Sequence, residues 1–220
     1  MAYCILIPAY NAEKTVAAVA DECLMHGVPV VVVDDGSVDR TTEVLCGKPI
    51  TLLRHERNFG KGKALRTGFS WALEQGHDAV VTLDADGQHE VSAIPLLYQE
   101  ACTRGVDLLI ASRQAQFEQM AGLRAFWNRF GVWCMRKRTG FEITDSQSGF
   151  RCYSSGLLRG IDVISDGYDL EMEVLMKGWR NGFSIDSFPV AARVADGRST
   201  SHFRPVRDTW NICKVFLRYM

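Results

Sequence analysis

Residues 79–88 read Ala79-Val80-Val81-Thr82-Leu83-Asp84-Ala85-Asp86-Gly87-Gln88. The first five form a short apolar, β-branched run, the pattern of a buried strand. Two carboxylates then leave its carboxyl end at i and i+2, close enough to converge on one divalent cation. Hard oxygen ligands with few His or Cys residues nearby favour Mg²⁺ or Mn²⁺ over zinc. Such a cation keeps coordination positions for substrate phosphates. A solvated Asp-rich turn would read the same way, so the neighbouring sequence has to decide.

On either side of this stretch, strand and helix alternate. Strands are expected at Tyr3–Ile7, Val28–Val33, Ile50–Arg54, Ala79–Leu83 and Asp107–Ala111. Helices are expected at Ala12–His26, around Asp39–Cys46, at Gly62–Gln75 and at Val91–Arg104. This rhythm predicts an α/β fold: a Rossmann-like, mainly parallel sheet with helices on both faces. Ligands of such sheets bind beyond the carboxyl ends of the strands. Both acidic clusters, Asp34-Asp35 and Asp84/Asp86, fall at those ends.

After Arg113 the rhythm changes. Leu123, Phe126, Trp127, Phe130 and Cys134 recur at helical spacing and lead into Arg136-Lys137-Arg138. A polar loop at Thr144–Gly149, a short strand at Phe150–Tyr153, a helix at Leu170–Trp179, extended segments at Ser184–Val190 and Ala191–Val194, and a last helix from about Pro205 to Tyr219 complete the chain. No repeat or linker interrupts it, so residues 1–220 read as one domain.

The 220 residues are 47% hydrophobic and 23% charged, with a formal charge of −1, so no global field recruits nucleic acid. Charge is uneven, however. Six basic residues against Glu118 between Arg113 and Arg138, and five against Asp208 between Arg198 and Arg218, give local balances of +5 and +4. The seven cysteines include no CxxC pair, which suits reduced thiols and a cytoplasmic setting. Ala2–Ile7 is too short for a signal peptide, and no stretch reaches the roughly 18 apolar residues of a membrane span. Membrane contact is therefore expected to be peripheral, on the cytoplasmic face.

The first strand ends in Pro8-Ala9-Tyr10-Asn11 and the second in Val33-Asp34-Asp35-Gly36-Ser37. An aromatic with an amide can stack on a nucleobase, and a carboxylate can hold base or ribose; a capped turn accounts for the second stretch equally well. Arg57-Asn58-Phe59-Gly60-Lys61-Gly62-Lys63 is Gly-rich, doubly basic and opens a helix, a setting that attracts phosphate. It is neither a P-loop nor a dinucleotide fingerprint, which disfavours an ATPase or a dehydrogenase.

In order and spacing, four stretches resemble glycosyltransferase family 2, which has the GT-A fold. They are Ile7–Asn11, Val33–Ser37, Asn58–Gly62 and Asp84–His89. Asp145–Arg151, Gly167–Glu173 and Gly197–Arg204 resemble its polyprenyl-phosphate branch, the dolichol-phosphate mannose synthase-like enzymes. The resemblance implies a nucleotide-sugar-binding half at 1–112 and an acceptor-binding half at 113–220. It implies that Pro8, Tyr10, Glu13 and Asp35 line the nucleoside pocket of a UDP- or GDP-sugar. Asp84, Asp86 and Gln88 would hold Mg²⁺ or Mn²⁺ against the diphosphate, with Lys61 beside them. Arg151, with Ser148, would meet the phosphate of a lipid acceptor, and Arg198 would reach either phosphate from a closing loop.

The implied reaction is inverting transfer. A phosphate acceptor needs no general base; a hydroxyl acceptor would need one of Asp145, Asp169, Glu171 or Glu173. Leu123–Arg138, with four aromatics beside a basic end, suits a helix lying among lipid headgroups. The last helix would do the same or dock a membrane protein or a second copy. Three rivals share parts of this pattern. One is a soluble family 2 enzyme with a hydroxyl acceptor, another a non-catalytic nucleotide-sugar-binding scaffold. The third is a haloacid-type phosphatase, whose D-x-D-G turn belongs on the first strand rather than the fourth.

Overall fold

The structure is a computed structural model that describes residues 3–112, 133, 135–141, 143–146, 148–191 and 205–219. Within them one sheet runs β3-β2-β1-β4-β6-β5-β7. The strands are β1 (Tyr3–Ala9), β2 (Val30–Asp34), β3 (Thr51–Arg54), β4 (Ala79–Thr82), β5 (Leu108–Ser112), β6 (Arg151–Ser154) and β7 (Ile185–Pro189). All neighbours pair in parallel except β6, which lies antiparallel between β4 and β5. The strand expected at Phe150–Tyr153 is present one residue later as β6, but its antiparallel insertion between β4 and β5 was not expected.

The helices of the described residues include α1 (Val16–Leu24), α2 (Thr41–Leu45), α3 (Lys61–Glu74), α4 (Ile94–Arg104), α5 (Ser155–Gly160), α6 (Leu170–Arg180) and α7 (Pro205–Tyr219). Alternation along β1 splits the core into two layers. Cys4 and Leu6 pack with Leu65 and Phe69 of α3 and Val174 of α6. Ile5 and Ile7 pack with Val16 and Val19 of α1 and Ile94 and Leu97 of α4. A strand buried on both faces has to be apolar throughout, as Ile5-Leu6-Ile7 and Val30-Val31-Val32-Val33 are.

One boundary and one additional helix differ from expectation for local reasons. The Ala12 and Glu13 N–H groups donate to Thr41 Oγ1 (2.8 Å) and Asp39 Oδ2 (3.1 Å), so α1 begins only at Val16. Ser154 starts the unexpected α5: its hydroxyl accepts the Leu157 N–H at 3.0 Å, an N-cap legible in Ser154-Ser155-Gly156-Leu157. The six described cysteines are all free, and three are buried.

Helix α7 packs Val215 into the core, and Ile212, Phe216 and Tyr219 border it, while Trp210 and Leu217 stay exposed. Its anchor is Glu173 on α6, a buried carboxylate. Glu173 Oε2 accepts the N–H groups of Ile164 (3.1 Å) and Ser165 (2.8 Å). Its Oε1 meets Lys177 Nζ at 2.8 Å and accepts the Tyr219 hydroxyl at 3.2 Å. Burial alone would raise this carboxyl, but Lys177 and the Ser165 N–H outweigh it and hold Glu173 below its ordinary 4.5. A lowered carboxyl stabilises the fold above its ordinary value and loses that contribution as pH falls through the folded one. Glu173→Gln is therefore expected to cost about 2 kcal/mol at pH 7. In urea titrations that deficit should shrink steadily below pH 4.5.

Candidate active site

The carboxyl ends of β1, β2 and β4 open onto a cleft of about 1000 Å³. The loops that leave them are stitched together before they meet any ligand. Asn11 takes a left-handed φ of 49°, which Asn tolerates, and donates its N–H to Ser37 Oγ (2.9 Å). Its Oδ1 accepts the Val38 N–H at 3.0 Å. Asp34 is fully buried and holds the second loop, accepting the Ser37 N–H (2.9 Å) and the Thr42 hydroxyl (2.7 Å).

Asp35 fastens the third loop. Its Oδ1 accepts the Phe59 N–H (3.0 Å) and lies 2.6 Å from His55 Nδ1, while its Oδ2 accepts the Gly60 N–H at 2.7 Å. The loop thus fixed delivers Lys61 to the cleft. Lys61 Nζ lies 2.6 Å from Asp84 Oδ1 and 2.9 Å from Glu171 Oε1. Burial works against its charge, but the two carboxylates more than offset this and raise its pKa. The carboxyl of Asp84 is correspondingly pulled down: Lys61 and His89, whose Nε2 lies 3.4 Å from Oδ2, outweigh burial. Asp86 moves the other way. Burial and the Asp84 charge push its carboxyl up, although its Oδ1 accepts the Gln88 N–H at 3.0 Å.

Of the residues singled out from the sequence, Pro8, Tyr10, Glu13, Asp35, Lys61, Asp84 and Asp86 all line this cleft. Gln88 is half-buried and is not part of the lining. Arg198 lies outside the described residues, as does most of the Leu123–Arg138 stretch. Asp145 is fully buried and does not line the cleft.

Arg151 corrects an expectation. Rather than facing an acceptor, it is fully buried on β6 and spends its guanidinium on backbone. Nε donates to the Ser148 carbonyl (2.7 Å), Nη2 to Ser146 (2.8 Å) and Nη1 to Glu171 (3.1 Å). It sews the 146–148 loop to the first turn of α6, the turn that carries Glu171. Gly149, in the same loop, lies so near Asp84 that a Cβ there would sit 2.5 Å from Oδ2.

The glycines of Gly60-Lys61-Gly62 also have a packing role. A Cβ at Gly60 would meet the Asp166 carbonyl oxygen at 2.3 Å, and one at Gly62 the Asp166 carbonyl carbon and the Gly167 oxygen at 2.7 Å each. The Lys63 N–H donates to the Asp166 oxygen at 3.1 Å. The start of α3 is thus docked on residues 165–167, and Asp166, Gly167, Tyr168 and Asp169 form a wall of the cleft. Alanine at position 62 gains about 1 kcal/mol of helix propensity, but overlap with backbone costs about 1–3 kcal/mol. Gly62→Ala should therefore melt lower than wild type and displace this wall. Asn211 of α7 closes the cleft from the chain's far end, a contribution no local sequence signal announces.

The donor set fits a hard divalent cation. Two carboxylates share the cleft, and burial first and the Asp84 charge second push the Asp86 carboxyl up, so a cation between them would favour its ionised form. Among the described residues no group of three or more His, Cys, Asp or Glu side chains could enclose a metal. A cation here would complete its shell with substrate oxygens, as Mg²⁺ and Mn²⁺ do.

Residues 4–161 match the family model described as Glycosyl transferase family 2. The undecaprenyl-phosphate mannosyltransferase of Micrococcus luteus is 31% identical over 199 residues, spanning 84% of this chain and 81% of that protein. The UDP-N-acetylglucosamine–dolichyl-phosphate N-acetylglucosaminyltransferase of Methanococcus voltae is 28% identical over 209 residues, spanning 84% and 83%. Among solved structures, glucosyl-3-phosphoglycerate synthase from Mycobacterium tuberculosis, in complex with Mn²⁺, UDP and glucosyl-3-phosphoglycerate, superposes with a TM-score of 0.79. It covers 99% of this chain and 79% of its own at 21% identity, a likeness of fold. Sheet order, cleft and family match agree: the chain belongs to glycosyl transferase family 2 and has the GT-A fold.

Proposed function

We propose that this glycosyltransferase moves a sugar from a UDP- or GDP-sugar onto a polyprenyl phosphate, with inversion at the anomeric carbon and with Mg²⁺ or Mn²⁺ bound. One observation carries the reading: Asp84, Asp86 and Lys61 line the same cleft as Pro8, Tyr10, Glu13 and Asp35. The names of the two curated relatives, both lipid-phosphate sugar transferases, support the acceptor class. In this reading Tyr10 and the loop fastened by Asp35 receive the nucleoside. Asp84 and Asp86 would hold the cation, with the Gln88 N–H donating to Asp86 Oδ1. When bound, the cation stabilises the charge that develops on the departing nucleoside diphosphate.

Lys61 adds a second positive charge on the diphosphate side. An acceptor oxygen attacks C1 from the face opposite the leaving diphosphate, so the new C–O bond forms as the old one breaks. A phosphate acceptor is already anionic, so no side chain has to take a proton, and Asp145, Asp169, Glu171 and Glu173 are free for structural work. With Arg151 committed to backbone, acceptor-phosphate contact falls in this reading to the basic stretches, Arg198 included.

No described helix is long and apolar enough to cross a membrane. The exposed Trp133, Trp210 and Leu217, with Lys137 and Lys214 over the two indoles, support contact with a headgroup layer at the cytoplasmic face.

The test is a matrix of UDP- and GDP-sugars against polyprenyl phosphate and polyprenol in detergent, each with Mn²⁺ or EDTA. Product on the phosphate alone, from one nucleotide and only with the cation, is the expected outcome. Product on polyprenol would move the reading to hydroxyl transfer with a general base, and no product from any pair would move it to a binding scaffold.

A further inference from the structure

The cation that would join Asp84 is not the only positive charge competing for it. Lys61 Nζ sits 2.6 Å from Asp84 Oδ1, and the same ammonium has a second anionic partner, Glu171 Oε1, at 2.9 Å. All three side chains are mostly withdrawn from water, at 14%, 29% and 8% exposure, so their charges are weakly screened. Glu171 is placed by its backbone: its carbonyl accepts from Arg151, which also ties down the loop carrying Gly149 against Asp84. Lys61 is placed by the loop that Asp35 clamps. The ammonium therefore stands between two fixed carboxylates, one in the candidate metal site and one outside it.

We infer that Lys61 antagonises the metal at Asp84, and that Glu171 is the carboxylate that retains Lys61 when a metal takes Asp84. This inference rests on the metal-dependent reading above and adds to it a coupling between the two ligands. A divalent cation binding alone must drive Lys61 off Asp84 and accept its repulsion at short range. A nucleoside diphosphate relieves that repulsion because it brings anionic oxygens to both cations. Metal and diphosphate thus strengthen each other's binding by the same factor, as linkage requires. Glu171 lowers the cost of the exchange by keeping one partner for Lys61 throughout.

The experiment measures Mn²⁺ binding to the full chain by the loss of the free-ion EPR signal, without nucleotide and with saturating UDP or GDP. It compares wild type, Lys61→Met, Glu171→Gln and Asp86→Ala, each checked for folding by circular dichroism in EDTA. In wild type the better nucleotide should tighten Mn²⁺ binding about tenfold or more. In Lys61→Met, Mn²⁺ alone should bind about tenfold tighter than in wild type, and the nucleotide effect should fall to about threefold or less. Glu171→Gln should shift Mn²⁺ affinity the other way, because Lys61 then has only Asp84 to hold. Opposite signs in two neighbouring variants are not what general damage to the site produces. Weaker or equal Mn²⁺ binding in Lys61→Met, or tighter binding in Glu171→Gln, would overturn the antagonism. Mn²⁺ uptake that Asp86→Ala leaves unchanged, or no uptake in any protein, would instead sink the metal-site reading and the inference with it.

Discussion

Arg151→Ala is expected to destabilise the protein by about 3–5 kcal/mol, enough to leave little folded material at elevated temperature. The guanidinium is fully buried and donates to three backbone carbonyls, those of Ser146, Ser148 and Glu171. Truncation removes these donors together, leaves each carbonyl without that partner in a site closed to water, and opens a void where one of the largest buried side chains stood. Arg151→Lys should recover little, since a single ammonium cannot reproduce a planar fork that reaches carbonyls in three directions. Arg151→Met would refill part of the volume but restore no donor, so its loss should fall between wild type and alanine. Urea unfolding ranks the four proteins. The competing role, a ligand for the acceptor phosphate, predicts unchanged stability and a raised acceptor KM. Near-wild-type unfolding of Arg151→Ala would return the residue to that role.

The misreading of Arg151 shows where sequence stops being legible. Thr144–Gly149 reads as a polar loop and Phe150–Tyr153 as a short strand, and nothing local in either says that Arg151 is buried. Burial follows only because β6 inserts antiparallel between β4 and β5, pairing Arg151 with Thr82 and Ile110. That pairing is a long-range choice which a four-residue strand does not announce. The strands β1 and β2 were legible because burial on both faces demands unbroken apolar runs. The cleft was legible because its acidic pairs end two apolar runs, β2 at Asp34-Asp35 and β4 at Asp84 and Asp86. Gly167–Asp169 stood out as part of a motif, but its place in the cleft wall did not, nor did Asn211, since both reach the cleft through helix docking rather than local pattern. Even the Gly60-Lys61-Gly62 signal carries a different reason than the one first apparent. The spacing suits a phosphate cradle, but what requires the missing Cβ atoms is the backbone of residues 165–167.

Asp86→Asn should separate stability from function in opposite directions. In the proposed mechanism the carboxylate is one of two that hold the cation, so turnover should drop on the order of 10³-fold. Stability without metal should rise. Burial and the adjacent Asp84 charge push the Asp86 carboxyl above its ordinary value, so the fold favours its protonated form. A raised carboxyl contributes stability at low pH and loses it as pH rises through the folded value. At neutral pH the ionised group is therefore a net liability, which the neutral, near-isosteric amide removes. In EDTA at pH 7 the variant should melt above wild type, and the gap should narrow as pH falls and wild type takes up its proton. Mn²⁺ with the matching nucleotide should reverse the order. At about 100 times its dissociation constant a ligand adds roughly 2.7 kcal/mol to a protein that binds it and nothing to one that does not. A variant that melts lower in EDTA would make Asp86 a structural residue, and one that keeps the Mn²⁺-dependent shift would remove it from the metal site. Crossing melting curves would mean that the chain carries uncompensated negative charge in the cleft, stability given up so that a cation and a diphosphate can supply it.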